Sequence, residues 1–250
     1  MDRREIPQPL LDTLGRVQAF AHSKHLACYL VGGLLRDQFL GRPLAYINVD
    51  LAIPSEALEV SRALALFLHG AFVPLDEAAG SARVVLSADG QRVELDLSAF
   101  RGRTLEDDLG RRDFTVNAMA IRLEDWLRHP AQPSPLIDPL HGRADLERRE
   151  LIPCFPGTFE EDPVRILRAF RFVAQLEFTL DPSAAPLMAR ALPRLSTVSG
   201  ERVRDELLAI FETDRAHRAI QSLTDIGVLD AEGYLRITDR VPAHCQQRRR

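Results

Sequence analysis

Residues 45–53 read Ala45-Tyr46-Ile47-Asn48-Val49-Asp50-Leu51-Ala52-Ile53. The odd-numbered residues from 47 to 53 are all apolar and β-branched or leucine, which predicts a buried β-strand. Asn48 and Asp50 are two residues apart, so their side chains should point to the same face of that strand. The strand is therefore expected to present one amide and one carboxylate side by side.

A second stretch, residues 93–97 with the sequence V-E-L-D-L, predicts another strand that carries a carboxylate among apolar neighbours. Carboxylates that converge from two strands are typical of phosphoryl-transfer sites, because Mg²⁺ prefers oxygen ligands and takes few of them from protein. The two strands together predict a cation site, in which Asn48 is a neutral member.

Composition limits the class of protein. The chain has 250 residues, of which 46% are hydrophobic, and can bury the core of one or two domains. Its formal net charge of −4 excludes a uniformly basic nucleic-acid-binding protein, so any polyanion site must be a local arginine patch. Three cysteines, Cys28, Cys154 and Cys245, lack metal-type spacing and predict reduced thiols. With neither a signal peptide nor an apolar run of ~20 residues, a cytoplasmic protein is expected.

Helices and strands alternate in the first part of the chain. Apolar spacing predicts helices over residues 10–23, 34–40 and 54–69, the last with Ser55 as its N-cap. Further strands are predicted at residues 27–31, 71–74, 82–86, 91–97 and 136–138. Asp89-Gly90 indicates a hairpin turn between two of them.

From Pro156 onward the pattern becomes helical, with helices predicted at residues 163–175, 183–191, 200–211 and 216–226 and no clear strand. The predicted fold class is therefore α/β followed by all-α. We expect a mixed sheet with helices in a head domain at residues 1–152, a helical domain at 153–231, and a frayed polar tail at 232–250.

The first chemical motif is Leu30-Val31-Gly32-Gly33-Leu34-Leu35-Arg36-Asp37. A strand that runs through two glycines into a helix allows close approach to the backbone, and it directs N–H groups and the helix dipole at an anion. Arg36 would add positive charge in the first helical turn. The alternative is a tight turn with an ordinary surface ion pair.

The second motif is Arg111-Arg112-Asp113-Phe114-Thr115-Val116-Asn117-Ala118. Arginines suit a triphosphate because they bind it bidentately, and a carboxylate or amide suits a ribose hydroxyl. The alternative is that Asp113 simply caps a short helix.

The third motif is Glu161-Asp162-Pro163-Val164-Arg165-Ile166-Leu167-Arg168. Pro163 suits the first helical position, which predicts Asp162 as the N-cap, with Arg165 and Arg168 following on the same side. Asp162 and Arg165 offer an acceptor beside a donor. Such a pair complements the Watson–Crick edges of cytosine and adenine, and it rejects uracil and guanine.

These motifs occur in one order, together with Asn48-x-Asp50 and Asp138-Pro139-x-x-Gly142-x-x-Asp145-Leu146. The ordered set resembles the class II (bacterial-type) tRNA nucleotidyltransferase and poly(A) polymerase family, over roughly residues 29–211. The resemblance implies a polymerase-β-like nucleotidyltransferase head with a helical neck and Mg²⁺ as cofactor. It also implies the 3′ end of tRNA as acceptor, and CTP and ATP as substrates.

The resemblance also implies roles for individual residues. Asp96 matches the third carboxylate of the family, so the candidate catalytic and metal-ligating residues are Asn48, Asp50 and Asp96. The nucleotide-binding positions of the family are matched by Gly32, Gly33, Arg36, Arg111, Arg112, Asp113, Asn117, Asp162, Arg165 and Arg168. Within this set, Asp162 and Arg165 would read the base and Arg168 would support them.

Asn48 is a departure from the family, which has Asp-x-Asp where this chain has Asn48-x-Asp50. Two ions ~3.5–4 Å apart repel each other and need anionic ligands. An asparagine oxygen can coordinate Mg²⁺ but brings no charge, and the loss of such a ligand costs about 10²-fold in rate, or about 3 kcal/mol. We therefore expect a chain that binds nucleotide and catalyses poorly or not at all.

The linker between Arg101 and Arg111 is a second departure, since it has only nine residues. Members that add CCA or A carry a longer flexible loop there, and members that add only two cytidines have it shortened, so the chain resembles a CC-adding enzyme. The alternatives are a poly(A) polymerase and a catalytically inactive nucleotide- or RNA-binding relative. Family members usually continue through body and tail domains, so the chain looks C-terminally truncated, and its RNA affinity should be weak and salt-dependent.

Overall fold

The computed structural model describes residues 6–43, 47–132 and 135–229. Residues 45 and 46 of the predicted central strand, Cys245 and the predicted tail at 232–250 lie outside the described residues. Contacts divide the chain into two units, Met1–Leu146 and Glu147–Arg250, each with its own set of internal contacts. No helix of the described ranges has the length and apolarity to cross a membrane.

The first unit contains a mixed sheet. Its strands are β1 (Tyr29–Val31), β2 (Ile47–Ile53), β3 (Ala71–Asp76), β4 (Ser81–Ala88), β5 (Gln91–Ala99) and β6 (Ala120–Arg122). In the described part of the chain these form one six-stranded sheet with the order β3-β4-β5-β2-β1-β6. Strands β2 and β5 are parallel, and the other neighbouring pairs are antiparallel. The predicted mixed sheet with helices is confirmed.

Helices pack on one apolar face of β2. The side chains of Val49, Leu51 and Ile53 are fully buried, whereas Asn48 is exposed and Asp50 is half-buried. The helical elements of this unit are α1 (Gln8–Ser23), α2 (Gly33–Phe39), α3 (Ala57–Leu68), α4 (Leu105–Gly110), the 3-10 turn η1 (Thr115–Asn117), α5 (Leu123–Arg128) and α6 (Gly142–Arg148). Apolar residues of α1, α3 and α5 join those of β2 in one core. Each buried leucine or isoleucine contributes about 1.5–3 kcal/mol, so the alternation along β2 fixes which face carries the polar pair.

The hairpin predicted at Asp89-Gly90 joins β4 to β5. Ala88 and Gln91 are directly paired across it. Asp89 and Gly90 have φ angles of 50° and 76°, which is the positive-φ pair that a two-residue type I′ turn requires. The turn fixes the register of β4 on β5.

Strand β3 lies at one edge of the sheet and is largely exposed. It carries Pro74, and its pairing with β4 shifts register between Pro74 and Asp76. These two irregularities lie in the middle and at the end of the strand.

Several predictions about the first unit were wrong. Ser55 does not cap α3, because the chain enters that helix through Glu56 in a left-handed conformation (φ 58°) and no side chain caps it. The strand predicted at 136–138 is a single bridge between Ile137 and Ala120. Strand β6 and helices α4 and α5 were not predicted, since elements of three to six residues are too short to show a period.

The second unit is helical, with α7 (Thr158–Glu161), α8 (Arg165–Leu176), α9 (Ala184–Ala191), the 3-10 helix η2 (Leu192–Thr197), α10 (Gly200–Phe211) and α11 (Ala216–Asp225). The expectation that it lacks strands was wrong, because β7 (Glu150–Leu151) and β8 (Thr179–Leu180) pair in parallel. Two-residue strands leave no alternation to detect.

The prediction that Asp162 caps the helix at Pro163 was also wrong, since α8 begins at Arg165. Asp162 ends α7 in an extended conformation with φ −143° and ψ 97°. The following proline disfavours a helical conformation at this residue.

Candidate active site

The turn between β1 and α2 presses its backbone against Asp50. Gly32 has a φ of +73°, and a Cβ atom at this position would lie 2.4 Å from Oδ2 of Asp50. Only glycine meets both conditions without strain. The N–H of Gly33 points at the same oxygen from 3.5 Å, which is at the long limit of a hydrogen bond. The structure thus brings Gly32, Gly33 and Asp50 together.

Arg36 connects this turn to the second predicted motif. Its side chain is buried, and Nη1 donates to Oδ1 of Asn117 at 2.8 Å. Nε and Nη2 donate to the carboxylate of Asp37, both at 3.0 Å. Asn117 in turn donates from Nδ2 to Oδ1 of Asp113 at 3.1 Å, and that oxygen also accepts the N–H of Phe114 at 2.8 Å. We call Arg36, Asp37, Asn117 and Asp113 the Arg36 network.

A second set of contacts, which the sequence does not predict, holds η1 from the other side. Thr115 and Asp145 are both buried, and Thr115 Oγ1 donates to Oδ2 of Asp145 at 2.5 Å. A Cβ atom at Gly142 would lie 2.0 Å from the carbonyl oxygen of Thr115, so the chain can pass this close only as glycine. Asp138 accepts the N–H groups of Gly142 and Arg143 at 2.7 and 2.9 Å. The motif at 138–146, to which the sequence assigns no individual role, thus supports the turn that carries Asn117.

The predicted metal ligands lie on the opposite face of β2 from the core. In the parallel register Asn48 is opposite Glu94, and Asp50 is opposite Asp96. Neighbouring strands lie about 4.8 Å apart, so the four side chains share one patch of the sheet. We call Asn48, Asp50, Glu94 and Asp96 the carboxylate face. Glu94 was not singled out, although its spacing of two from Asp96 places it on this face.

Arg83 of β4 binds two members of the carboxylate face. It is opposite Asp96 in the antiparallel register, and it donates from Nε to Oδ1 at 2.6 Å and from Nη2 to Oδ2 at 2.8 Å. Its Nη1 lies 2.5 Å from Oε2 of Glu94, whose other oxygen lies 2.6 Å from Arg92. The hydrogen bond to Asp96 raises the pKa of the Arg83 guanidinium. Arg83 was missed, although a lone arginine between the buried residues Ala82 and Val84 is a detectable signal.

The donor set suits Mg²⁺ in kind, because Asn48, Asp50 and Asp96 all offer oxygen atoms. It does not fit a pair of ions as arranged, since Asn48 is neutral and both Asp96 oxygens bind Arg83. In the described part of the chain, no group of three or more His, Cys, Asp or Glu side chains is arranged to hold a metal ion.

The linker after Arg101 is folded rather than extended. Thr104 and Asp107 form a reciprocal capping box at the start of α4. The N–H groups of Arg103 and Thr104 bind Asp107 and lower the pKa of its carboxyl group. At the end of this helix Arg112 donates to the buried Asp108 from Nε and Nη2 at 3.2 and 3.0 Å. The exposed Arg111 accepts a hydrogen bond from Arg101 on its carbonyl oxygen at 3.1 Å.

The second unit holds its three predicted residues in separate contacts. Asp162 accepts two hydrogen bonds from Arg202 at 3.1 and 2.7 Å. The buried Arg165 donates to Oγ1 of Thr158 at 2.9 Å and to its carbonyl oxygen at 3.3 Å. A ligand that used these polar groups would have to share or replace those partners.

Arg168 lies 3.2 Å from Glu206, which also binds Arg171 at 2.6 Å. The guanidinium carbon of Arg168 is 5.3 Å from the centre of the Phe172 ring, which is a cation–π distance.

Comparisons with known proteins agree with this architecture. A family profile described as the poly A polymerase head domain matches residues 28–152, and one described as a probable RNA and SrmB binding site of polymerase A matches residues 177–231. The CC-adding tRNA nucleotidyltransferase of Geobacter sulfurreducens is 36% identical over 215 residues, or 86% of this chain and 47% of that protein. The A-adding tRNA nucleotidyltransferase of Deinococcus radiodurans is 41% identical over 209 residues, or 80% of this chain and 44% of that protein.

Among solved structures, the CCA-adding enzyme of Thermotoga maritima in complex with tRNA matches with a TM-score of 0.71 and 31% identity. The match covers 90% of this chain and 52% of that one. The chain thus spans about half the length of the relatives it matches.

Proposed function

The chain belongs to the family of tRNA nucleotidyltransferases and poly(A) polymerases, and we propose that it adds cytidines to the 3′ end of tRNA from CTP, without a template. Addition of the full CCA sequence, which also consumes ATP, is the broader form of the same activity. The observation that carries the proposal is the junction of the Gly32-Gly33 turn, Asp50 and the Arg36 network.

The reaction joins the 3′ hydroxyl oxygen of RNA to the α-phosphorus of CTP and breaks the bond to pyrophosphate, which leaves. The N–H groups at the start of α2 and the guanidinium of Arg36 would hold the triphosphate. Asp113 and Asn117 would bind the ribose, with Arg111 and Arg112 nearby in the chain. Asp50, next to the glycine turn, would accept the hydroxyl proton.

In the second unit, Asp162 and Arg165 would read the base, with Arg168 as support. The pair matches cytosine and adenine alike, so the choice between them needs another element. The short linker at 102–110, folded into α4 by its capping box, supports cytidine addition because it leaves little chain for a mobile loop. Relatives of both the CC-adding and the A-adding kind are similar to this chain.

A second candidate is a nucleotide- or RNA-binding relative that has lost turnover. Two observations favour it: Asn48 stands where the family has an aspartate, and both oxygens of Asp96 bind Arg83. We propose accordingly that the basal rate is low and that Asn48 limits it.

The test is incorporation of labelled CTP and ATP into tRNA that lacks its CCA end, in the presence of Mg²⁺, by the chain and by its Asn48→Asp variant. If the variant adds nucleotide about 10²-fold faster than the unchanged chain, the head is intact and Asn48 limits its activity. Product length separates addition of two cytidines, of CCA, and of adenosines alone, the last of which indicates a poly(A) polymerase. CTP binding without incorporation by either protein favours the second candidate.

A further inference from the structure

We propose that Arg83 is a built-in cation of the carboxylate face, which occupies Asp96 and thereby weakens the binding of divalent metal ions there. The inference concerns cation binding alone. It holds whether or not the chain transfers nucleotides, and its test contains no nucleotide and no RNA.

Arg83 contacts two carboxylates of the face at once, so it fills the place that a bound cation would take. Its guanidinium makes a bidentate contact with Asp96 at 2.6 and 2.8 Å and a third contact with Glu94 at 2.5 Å. Bidentate contacts between arginine and a carboxylate are stronger and more specific than single hydrogen bonds. Arg83 therefore uses both Asp96 oxygens that a metal ion would need.

The position of Arg83 is fixed by the fold. It lies between two buried residues of β4, Ala82 and Val84, and its register partner on β5 is Asp96 itself. The side chains of Arg83 and Asp96 are 27% and 19% exposed, so the pair is partly screened from water by protein. The contact is thus a cross-strand pair set by the hairpin register, and it is not a chance meeting of mobile side chains.

Charge reinforces this geometry. Asn48 brings no charge, so the negative charge of the carboxylate face comes from Asp50, Glu94 and Asp96. The guanidinium of Arg83 neutralises part of it, and it would also repel a divalent ion held a few ångströms away. Both effects lower metal affinity, and removing Arg83 should undo both at once.

Arg92 provides a matched control. It carries the same charge on the neighbouring strand and also binds Glu94, at 2.6 Å, but it is 70% exposed. Loss of Arg92 removes one nearby positive charge and leaves the Arg83–Asp96 contact in place.

The experiment measures binding of Mn²⁺ to the full chain, by the electron paramagnetic resonance signal of the free ion and by calorimetry, with Mg²⁺ as competitor. Arg83→Gln should lower the Kd for Mn²⁺ about tenfold or more, because a charge-assisted contact that competes with the ion is gone. Arg92→Gln should change it less than about twofold, as expected for an exposed pair. Adding Asp96→Asn to Arg83→Gln should abolish the gain.

An unchanged or weaker affinity in a folded Arg83→Gln protein overturns the proposal, as does an equal gain in Arg92→Gln. Thermal melting establishes that each variant is folded. If Arg83→Gln does not fold, Arg83→Lys decides. Lysine keeps the charge but loses the bidentate contact. A gain in Mn²⁺ affinity that is smaller than about tenfold but above that of Arg92→Gln therefore supports the proposal. No gain in a folded Arg83→Lys protein contradicts it.

Discussion

Through Asp50 the carboxylate face contacts the Gly32-Gly33 turn that leads to Arg36, yet the Arg36 network and the carboxylate face are held by different forces. Arg36, Asn117 and Asp113 are at most 8% exposed and are linked by hydrogen bonds, of which the Arg36–Asn117 bond joins segments far apart in the chain. The carboxylate face is half-buried or exposed, and its ion pairs join Arg83 of β4 to Glu94 and Asp96 of β5, and Arg92 to Glu94 within β5. Burial and hydrogen bonds hold the Arg36 network in place, whereas the attraction between opposite charges holds the carboxylate face. A ligand could therefore rearrange the carboxylate face much more easily than the Arg36 network.

The largest effect is expected where the glycine turn contacts Asp50 of the carboxylate face. Gly32→Ala adds a Cβ atom 2.4 Å from Oδ2 of Asp50 at a φ of +73°, so it should displace both Asp50 and the turn. Misplacement by about 1 Å costs about 10²-fold in rate, and the strained backbone costs about 1–3 kcal/mol of stability. The rate of nucleotide incorporation measures the loss of activity, and thermal melting measures the loss of stability.

Gly90→Ala is the control for this change. Gly90 has a φ of +76° with nothing within 4 Å of the added Cβ, so it shares the backbone strain without the clash. If Gly90→Ala lowers incorporation as much as Gly32→Ala does, the close approach to Asp50 is not what matters.

The two arginines allow the direct comparison. Arg36→Gln leaves buried polar partners unmatched, and should cost about 2–3 kcal/mol of stability with little dependence on salt. Arg83→Gln removes a partly exposed pair, which should cost at most about 1 kcal/mol, and less still as ionic strength rises toward 1 M. Chemical denaturation of both variants at low and high salt measures this difference. Equal salt dependence would remove the distinction between the regions.

Loss of the hydrogen bond between Thr115 and Asp145 should have a smaller effect, confined to the Arg36 network. Thr115→Val removes the donor to the buried Asp145, which should cost about 1–3 kcal/mol and weaken CTP binding through Asn117. Thr115→Ser keeps the hydroxyl and should restore CTP affinity. The dissociation constant for CTP separates this positioning role from simple loss of packing, which serine would not repair.

The smallest effect concerns an exposed carboxylate that is held by backbone groups instead of arginine. The N–H groups of Arg103 and Thr104 lower the pKa of Asp107 in the folded chain. The unfolded chain therefore binds the proton more tightly, so this stabilisation is present above the ordinary aspartate pKa and is lost as pH falls through the lowered value. The drop in Tm on acidification should be slightly smaller in Asp107→Asn. An unchanged drop would mean that the capping box adds no pH dependence.

The two regions also differ in how far the sequence predicts them. Strand β2 and the hairpin at Asp89-Gly90 followed from alternation and turn chemistry, which are local signals. The glycine turn and both motifs of the Arg36 network were identified, but the bond between Arg36 and Asn117 joins residues 81 positions apart. No local pattern encodes such a contact.

On the carboxylate face the sequence identified three ligand candidates and missed the arginine that binds one of them. The position of Arg83 opposite Asp96 depends on the β4–β5 register. That register could have been counted outward from the predicted turn. In the second unit, the partners of Asp162 and Arg165 depend on helix packing, which the periodicity of one helix does not determine.

The edge strand β3 has a consequence for the behaviour of the molecule in concentrated solution. A free sheet edge invites strands of other molecules to add to it, which leads to aggregation. Pro74 has no N–H to donate, and the register shift between Pro74 and Asp76 interrupts the regular course of the strand. Val73 and Leu75 are exposed on the same strand, so these irregularities oppose intermolecular β-pairing at an exposed apolar stretch.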